Sequence, residues 1–315
     1  MNRKIFVALS TFGEYGNEPL KLLAESGFPY VINPLGRRLT REEILKIGRD
    51  CEGIIAGVEP YDSHVLDNMP NLRCISRCGV GIDNIDLKKA AAGGIVVMNT
   101  PDVVVQPVAE LTVAMIMDIM RRLSYHTSLM RKRIWQKKAG NLISGKKVGV
   151  LGLGRIGKRV AEMMLRLDTD VYGTDLLPDI EWSERSGVKL VSLHELLQIS
   201  DVLTLHLSEK QGKPFRLGES EFARMKKGAV IVNVSRGSFL DENSLYTALE
   251  NGHLGGAALD VFPEEPYKGK LCDLENVVMT PHIATLTEES RLQMEIEATN
   301  NLLAYMNKRV SVEES

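Results

Sequence analysis

The sequence predicts an α/β protein built from two doubly wound parallel-sheet units, and three observations predict it. Short apolar strands alternate with amphipathic helices along almost the whole chain, the pattern of a parallel sheet covered by helices on both faces. The alternation runs twice, from the start to about residue 98 and again from Lys146. The second run opens with a strand that feeds directly into a glycine-rich turn and then a helix.

In the first run, strands are expected over residues 4–9, 30–33, 53–56, 72–76 and 95–98. Helices are expected over 19–26, closed by Gly27, and over 41–48, 63–69 and 87–92. Thr40 with Glu43 forms a capping box for the second helix, and Ser63 is read as the cap of the third. No glycine fingerprint joins a strand to a helix in this run, so it is not read as the nucleotide site. Thr100-Pro101 is a hinge candidate, because proline pushes the preceding residue out of helical geometry. One long helix is expected over 106–133, with Val108, Leu111, Met115, Ile119 and Leu123 on its apolar face. The basic residues near its end, Arg121, Arg122, Arg131, Lys132, Arg133, Lys137 and Lys138, read as a solvated helix end.

The second run holds strands over 148–151, 170–174, 188–191, 201–207, 229–234, 256–262 and 277–280, with helices near 156–167, 194–199, 219–225 and 241–250 between them. After Pro281, a capping box at Thr285–Glu288 is expected to open a last helix to about residue 307.

Between the first strand and helix of this run stands Gly152-Leu153-Gly154-Arg155-Ile156-Gly157. With 27 glycines in 315 residues, a bare G-x-G-x-x-G arises by chance about 0.2 times per chain, so context must decide. The context holds: a strand precedes, a helix with Ile156, Val160, Met163, Met164 and Leu167 follows, and Asp175 ends the next strand 18 residues after Gly157. Gly152 makes the tight turn, Gly154 lets backbone approach a pyrophosphate, and Gly157 lets helix and strand pack closely. The helix N-terminus offers N–H donors to the phosphates. Asp175 suits a ribose diol and would repel a 2′-phosphate, so NAD is expected rather than NADP.

Composition narrows the remaining choices. The chain is 44% apolar and 25% charged with a formal net charge of −2, ordinary for a globular α/β protein and without attraction for nucleic acid or anionic membranes. Cys51, Cys74, Cys78 and Cys272 have neither zinc spacing nor a disulfide pattern, and no metal is expected. The apolar opening at Ile5 reads as a strand rather than a signal peptide. The segment 108–120 contains Glu110 and Asp118 and does not read as a membrane span. A cytoplasmic location is expected.

Ligands of open α/β sheets sit beyond the carboxyl ends of the strands. The residues just after the late strands are Ser208, Ser235-Arg236-Gly237, Pro263-Glu264-Glu265-Pro266 and Pro281-His282. An arginine, a carboxylate and a histidine therefore converge. Hydride transfer to a carbonyl leaves an oxyanion that needs a proton, which an imidazole can supply. A carboxylate beside an imidazole orients it and favours its protonated form. Arginine offers a bidentate clamp for a substrate carboxylate. His206, at the end of its own strand, is an alternative acid without a comparable carboxylate. Asp260 is either a buried strand acid or an acceptor for a nicotinamide carboxamide.

Four ordered motifs, Gly149–Gly157, Asn233–Gly237, Ala258–Pro266 and Thr280–Ala284, resemble the D-isomer-specific 2-hydroxyacid dehydrogenases over essentially the whole chain. The resemblance implies Arg236, Glu265 and His282 as catalytic residues, with His282 the proton donor. It implies cofactor contacts at Gly152, Gly154, Arg155, Ile156, Gly157, Asp175, His206, Val234 and Asp260. It further implies that an NAD-binding Rossmann domain, 101–283, is inserted into a substrate domain formed by 1–100 and 284–315, the last helix returning to the first domain. A homodimer through the long helix near 106–133 is also implied.

Within the family, Ser76–Asp86 is similar to the phosphoglycerate dehydrogenase version, which implies substrate contacts at Arg77, Val80, Gly81 and Arg236. The implied reaction is oxidation of 3-phosphoglycerate to 3-phosphohydroxypyruvate, the first step of serine synthesis. Two departures stand against that assignment. Val104-Val105 replaces the usual Asn-Ser or Asn-Thr, as in glyoxylate and hydroxypyruvate reductases, and His206-Leu207-Ser208 replaces His-x-Pro. The alternatives are therefore glyoxylate or hydroxypyruvate reduction, or a non-catalytic NAD-sensing role. No C-terminal regulatory extension follows, so serine feedback through such a domain is not expected.

Overall fold

A computed structural model describes residues 3–208 and 215–313. The chain divides into two compact units, Met1–Val104 with Thr285–Ser315, and Val105–Ala284. The first division falls after Val104 and the second after Ala284, where the sequence places them after residues 100 and 283.

The first unit carries β1 (Ile5–Val7), α1 (Glu18–Glu25), β2 (Tyr30–Ile32), α2 (Arg41–Gly48), β3 (Gly53–Ala56), α3 (Ser63–Asp67), β4 (Cys74–Arg77), α4 (Leu87–Ala92) and β5 (Val96–Met98). Its five strands are all parallel, in the order β2-β1-β3-β4-β5. β1 and β3 are buried along their whole length. Being covered on both faces is why they read as continuous apolar runs rather than alternating ones. The capping box at Thr40 and Glu43 is present. The cap of α3 is Asp62, whose carboxylate accepts from the Val65 N–H, not Ser63.

The second unit carries α5 (Val105–Arg121), α6 (Leu123–Arg131), β6 (Lys147–Leu151), α7 (Arg155–Leu165), β7 (Asp170–Thr174), α8 (Ile180–Ser186), β8 (Lys189–Leu190), α9 (Leu193–Ile199), β9 (Val202–Leu205), α10 (Glu219–Arg224), β10 (Val230–Asn233), α11 (Glu242–Glu250), β11 (Gly256–Leu259) and β12 (Val277–Met279). The seven parallel strands run β12-β11-β10-β9-β6-β7-β8. The strand order reverses between β6 and β9, which opens a ligand crevice at their carboxyl ends. The core on one side gathers Leu196, Leu203, Leu205, Phe222, Ile231, Leu245, Leu249 and Leu254.

The expected single helix over 106–133 is broken. Arg122 adopts a left-handed conformation (φ 56°, ψ 39°) between α5 and α6, and Asp118 accepts from both the N–H and the hydroxyl of Ser124. The buried face of α5 includes Val108, Thr112, Met115, Ile116 and Met120, whereas α6 has no buried residue and Leu123 is exposed.

The last helix, α12 (Glu288–Glu313), returns to the first unit and packs on β3, β4 and α1. The Ser76 hydroxyl donates to the Ala298 carbonyl at 2.7 Å, and Glu295, fully buried, accepts from the Gly13 N–H at 2.8 Å. The second unit is thus inserted in the first. The cap of α12 is Thr287, which accepts from the Ser290 N–H, rather than Thr285.

Candidate active site

Register explains why three distant residues follow one edge of the sheet. Asn233 of β10 pairs with Leu259 of β11, and Leu259 pairs with Met279 of β12. The three strands end level, and Arg236, Glu265 and His282 follow those ends. His282 Nδ1 lies 2.9 Å from Glu265 Oε2, and Glu265 Oε1 accepts from the Phe262 N–H at 3.1 Å. One carboxylate oxygen therefore orients the imidazole while the other ties the acid to its own loop.

His282 sits at φ 54°, a left-handed backbone that non-glycine residues adopt only when the surroundings impose it. Asp260 imposes it. Its fully buried carboxylate accepts from Thr280 Oγ1 at 2.6 Å, Ile283 N at 2.8 Å and Ala284 N at 3.0 Å, and its carbonyl accepts from the His282 N–H at 2.9 Å. A carboxylate has about four lone-pair sites, so one remains for a further donor. Arg236 is half-buried, and its loop is built by Asn233. The Asn233 amide donates to the Arg236 carbonyl at 2.7 Å and its oxygen accepts from the Ser235 N–H and hydroxyl. Val234 is buried between them.

His206 does not form a second acid. Its Nε2 lies 2.9 Å from Thr204 Oγ1, its Nδ1 is buried without a hydrogen-bond partner, and burial pushes its pKa down to about 3. It is a neutral imidazole packed behind the glycine turn.

That turn fits a dinucleotide. Gly152 has φ +96°, and a Cβ there would lie 2.4 Å from the His206 carbonyl oxygen. A Cβ on Gly157 would lie 1.9 Å from the Gly152 oxygen. Around Gly154 there is open space, and α7 begins at Arg155, Ile156 and Gly157 with no side-chain cap, leaving room and backbone donors for a pyrophosphate. Asp175 is half-buried and accepts from Leu153 N at 2.7 Å and Leu177 N at 3.0 Å. Those bonds fix the carboxylate at the end of β7, where a ribose is read.

In the first unit, Arg77 ends β4 half-buried, with Nη1 against the Cys78 carbonyl. The following turn, Gly79-Val80-Gly81, is stitched to the end of β5. Gly79 N donates to Thr100 Oγ1 at 2.8 Å, and the Asn99 amide donates to the Val80 carbonyl at 2.9 Å. Gly79 has φ +131°, which a side chain would oppose. Buried Glu59 and Tyr61 belong to the same strand-end region, and no motif in the sequence marks them. Burial raises the Glu59 pKa while Arg38 and Arg77 oppose the rise. The rule that reads residues just after each strand, applied to β3, finds Glu59.

Burial pushes the Cys51 thiol up to about 11 and those of Cys74 and Cys78 up to about 12, so none is a ready nucleophile. Among the described residues no group of three metal-ligating side chains occurs, and no helix is long and apolar enough to cross a membrane.

Residues 113–284 match the family model described as D-isomer specific 2-hydroxyacid dehydrogenase, NAD binding domain. The chain belongs to the D-isomer-specific 2-hydroxyacid dehydrogenases. It is 38% identical over 275 residues to a D-3-phosphoglycerate dehydrogenase of Pongo abelii, covering 86% of this chain and 51% of that one. It is 34% identical over 275 residues to a glyoxylate reductase of Korarchaeum cryptofilum, covering 84% and 83%. A D-lactate dehydrogenase of Aquifex aeolicus, solved with NAD and lactic acid, superposes with a TM-score of 0.82 at 27% identity, covering 98% of this chain and 96% of that one. The chain spans about half the length of the phosphoglycerate dehydrogenases it matches. The residues that match this NAD-binding-domain model, 113–284, lie within the second unit, Val105–Ala284.

Proposed function

We propose that this chain interconverts a D-2-hydroxy acid and its 2-keto acid with NAD, 3-phosphoglycerate and 3-phosphohydroxypyruvate being the leading pair and serine synthesis the pathway they imply. The observation that carries the proposal is the 2.9 Å His282–Glu265 pair, beyond the level strand ends that also present Arg236. NAD, when bound, supplies or accepts the hydride. The residues do the rest. Arg236 clamps the substrate carboxylate through its planar fork. His282 gives a proton from Nε2 to the carbonyl oxygen in reduction and takes it back in oxidation, while Glu265 balances the imidazolium charge at Nδ1. Arg77, Val80 and Gly81 are assigned to the substrate's anionic groups. Asp260 holds the His282 turn, and its remaining lone-pair site is assigned to the nicotinamide carboxamide. Gly152, Gly154, Arg155, Ile156, Gly157, Asp175, Val234 and His206 form the cofactor wall.

A second reading, reduction of unphosphorylated glyoxylate or hydroxypyruvate, is favoured by Glu59. A buried carboxylate near Arg77 offsets the positive charge that a phosphate needs. A panel of 2-keto acids with and without phosphate, assayed by NADH oxidation with product chirality measured, separates the readings. The proposal expects turnover to the D-isomer. An L-product, or no turnover of any acid, overturns it, and equal kcat/KM on both classes removes the phosphoglycerate assignment. We further assign a homodimer to the α5–α6 region, supported by exposed Leu123, Met130, Ile134, Trp135 and Leu142. The proposed site of action is the cytoplasm.

A further inference from the structure

The loop that carries Glu265 is short and exposed, yet its carboxylate must hold His282 in one orientation. Its two ends are locked from behind. Phe262 and Tyr267 flank the loop and stack ring on ring, with centroids 4.2 Å apart and planes 18° from parallel. The Tyr267 hydroxyl donates to Glu242 Oε1 at 2.8 Å and accepts from the Leu271 N–H at 3.3 Å. Glu242 is the first residue of α11, capped by Asp241, so the hydroxyl is anchored to a regular element.

Two glycines permit this approach. A Cβ on Gly269 would lie 2.3 Å from the Tyr267 hydroxyl and 2.6 Å from Glu242 Oε1. A Cβ on Gly237 would lie 2.0 Å from the Phe262 carbonyl carbon and 2.3 Å from Pro263 N. The Arg236 loop therefore packs directly against the start of the Glu265 loop. Burial and the Glu242 bond raise the Tyr267 pKa further above its usual value, so the hydroxyl stays a donor.

We propose that Tyr267 is a positioning residue: anchored by Glu242 and stacked on Phe262, it holds the Glu265 loop so that the carboxylate keeps the His282 imidazole aimed for proton transfer. The chain of contact is continuous, from Glu242 to Tyr267, to the Phe262 ring, to the Phe262 N–H on Glu265 Oε1, and from Glu265 Oε2 to His282 Nδ1. Tyr267 touches none of the reacting atoms. This inference rests on the dehydrogenase reading above.

The test uses the full chain with Tyr267→Phe, Tyr267→Ala and Glu242→Gln, and the 2-keto acid that wild type turns over best. Tyr267→Phe keeps the stack and loses the anchor, and Glu242→Gln weakens the same anchor from the other side. Each is expected to lower kcat about tenfold, and Tyr267→Ala about a hundredfold, the scale of a 1 Å misplacement. The solvent deuterium isotope effect on kcat should rise in all three as proton transfer becomes limiting. NADH affinity, read by fluorescence titration, should stay within about twofold. Wild-type kcat in Tyr267→Ala overturns the inference, as does a loss of kcat with an unchanged isotope effect. A wild type that turns over no 2-keto acid overturns the dehydrogenase reading instead, so the two failures are distinct.

Discussion

Asp260→Asn tests how the His282 turn is held. The carboxylate accepts three hydrogen bonds in a fully buried setting, from Thr280 Oγ1, Ile283 N and Ala284 N. An asparagine oxygen can accept two of them, and its NH2 then faces the third donor. That donor goes unsatisfied at about 1–3 kcal/mol, and the two surviving bonds drop from charge-assisted to neutral at about 1 kcal/mol each. Relief from burying a charge offsets part of this, leaving a net loss of about 3 kcal/mol. For a domain this size that corresponds to a fall in Tm of about 6–12 °C. Released from its frame, His282 can leave φ 54° for ordinary backbone, and kcat should fall about a hundredfold. Urea denaturation and steady-state kinetics on the same preparation give both numbers. A loss below about 1 kcal/mol together with wild-type kcat refutes the reasoning, because the three bonds would then carry neither stability nor alignment.

Two further outcomes follow from the same geometry. Asp175→Ala removes the carboxylate that Leu153 and Leu177 fix beside the glycine turn, so the kcat/KM preference for NAD over NADP should fall roughly tenfold or more; an unchanged ratio would show the acid to be misassigned. His206 is neutral in the fold, with its pKa pushed down to about 3 from the usual 6.5. Its contribution is full above pH 6.5 and is lost as pH falls towards 3. Wild type should lose about 2 kcal/mol between pH 7 and pH 5 through this residue, and His206→Gln should remove that part of the slope. An identical slope in both proteins would mean that the imidazole is solvated.

The parts legible in the sequence are those with a local cause. The glycine turn, the acid at Asp175 and the alternation of strands and helices follow from spacing, because each constraint acts within one βαβ unit. That Arg236, Glu265 and His282 follow the carboxyl ends of β10, β11 and β12 is legible because parallel strands end at one edge. The break at Arg122 was not, since no glycine or proline marks it and its stabilising partner, Asp118, reaches Ser124 from the preceding helix. The caps of α3 and α12 lie one and two residues from the positions the spacing predicts, because several hydroxyl or carboxylate residues compete and backbone geometry chooses among them. The apolar spacing does not mark α8, which Asp179 caps by accepting from the Trp182 N–H. Tyr267 and Glu242 are 25 residues apart and meet only through packing, so no spacing rule points to them.

The most direct measurement is the rate of NADH oxidation by wild type and His282→Ala with the preferred 2-keto acid, at matched NADH occupancy. The account predicts a fall in kcat of about 10²- to 10⁴-fold, the range for a positioned general acid, with NADH affinity retained. Equal rates in the two proteins, or no turnover by wild type with any 2-keto acid, would contradict the assignment of His282 and the dehydrogenase reaction built on it.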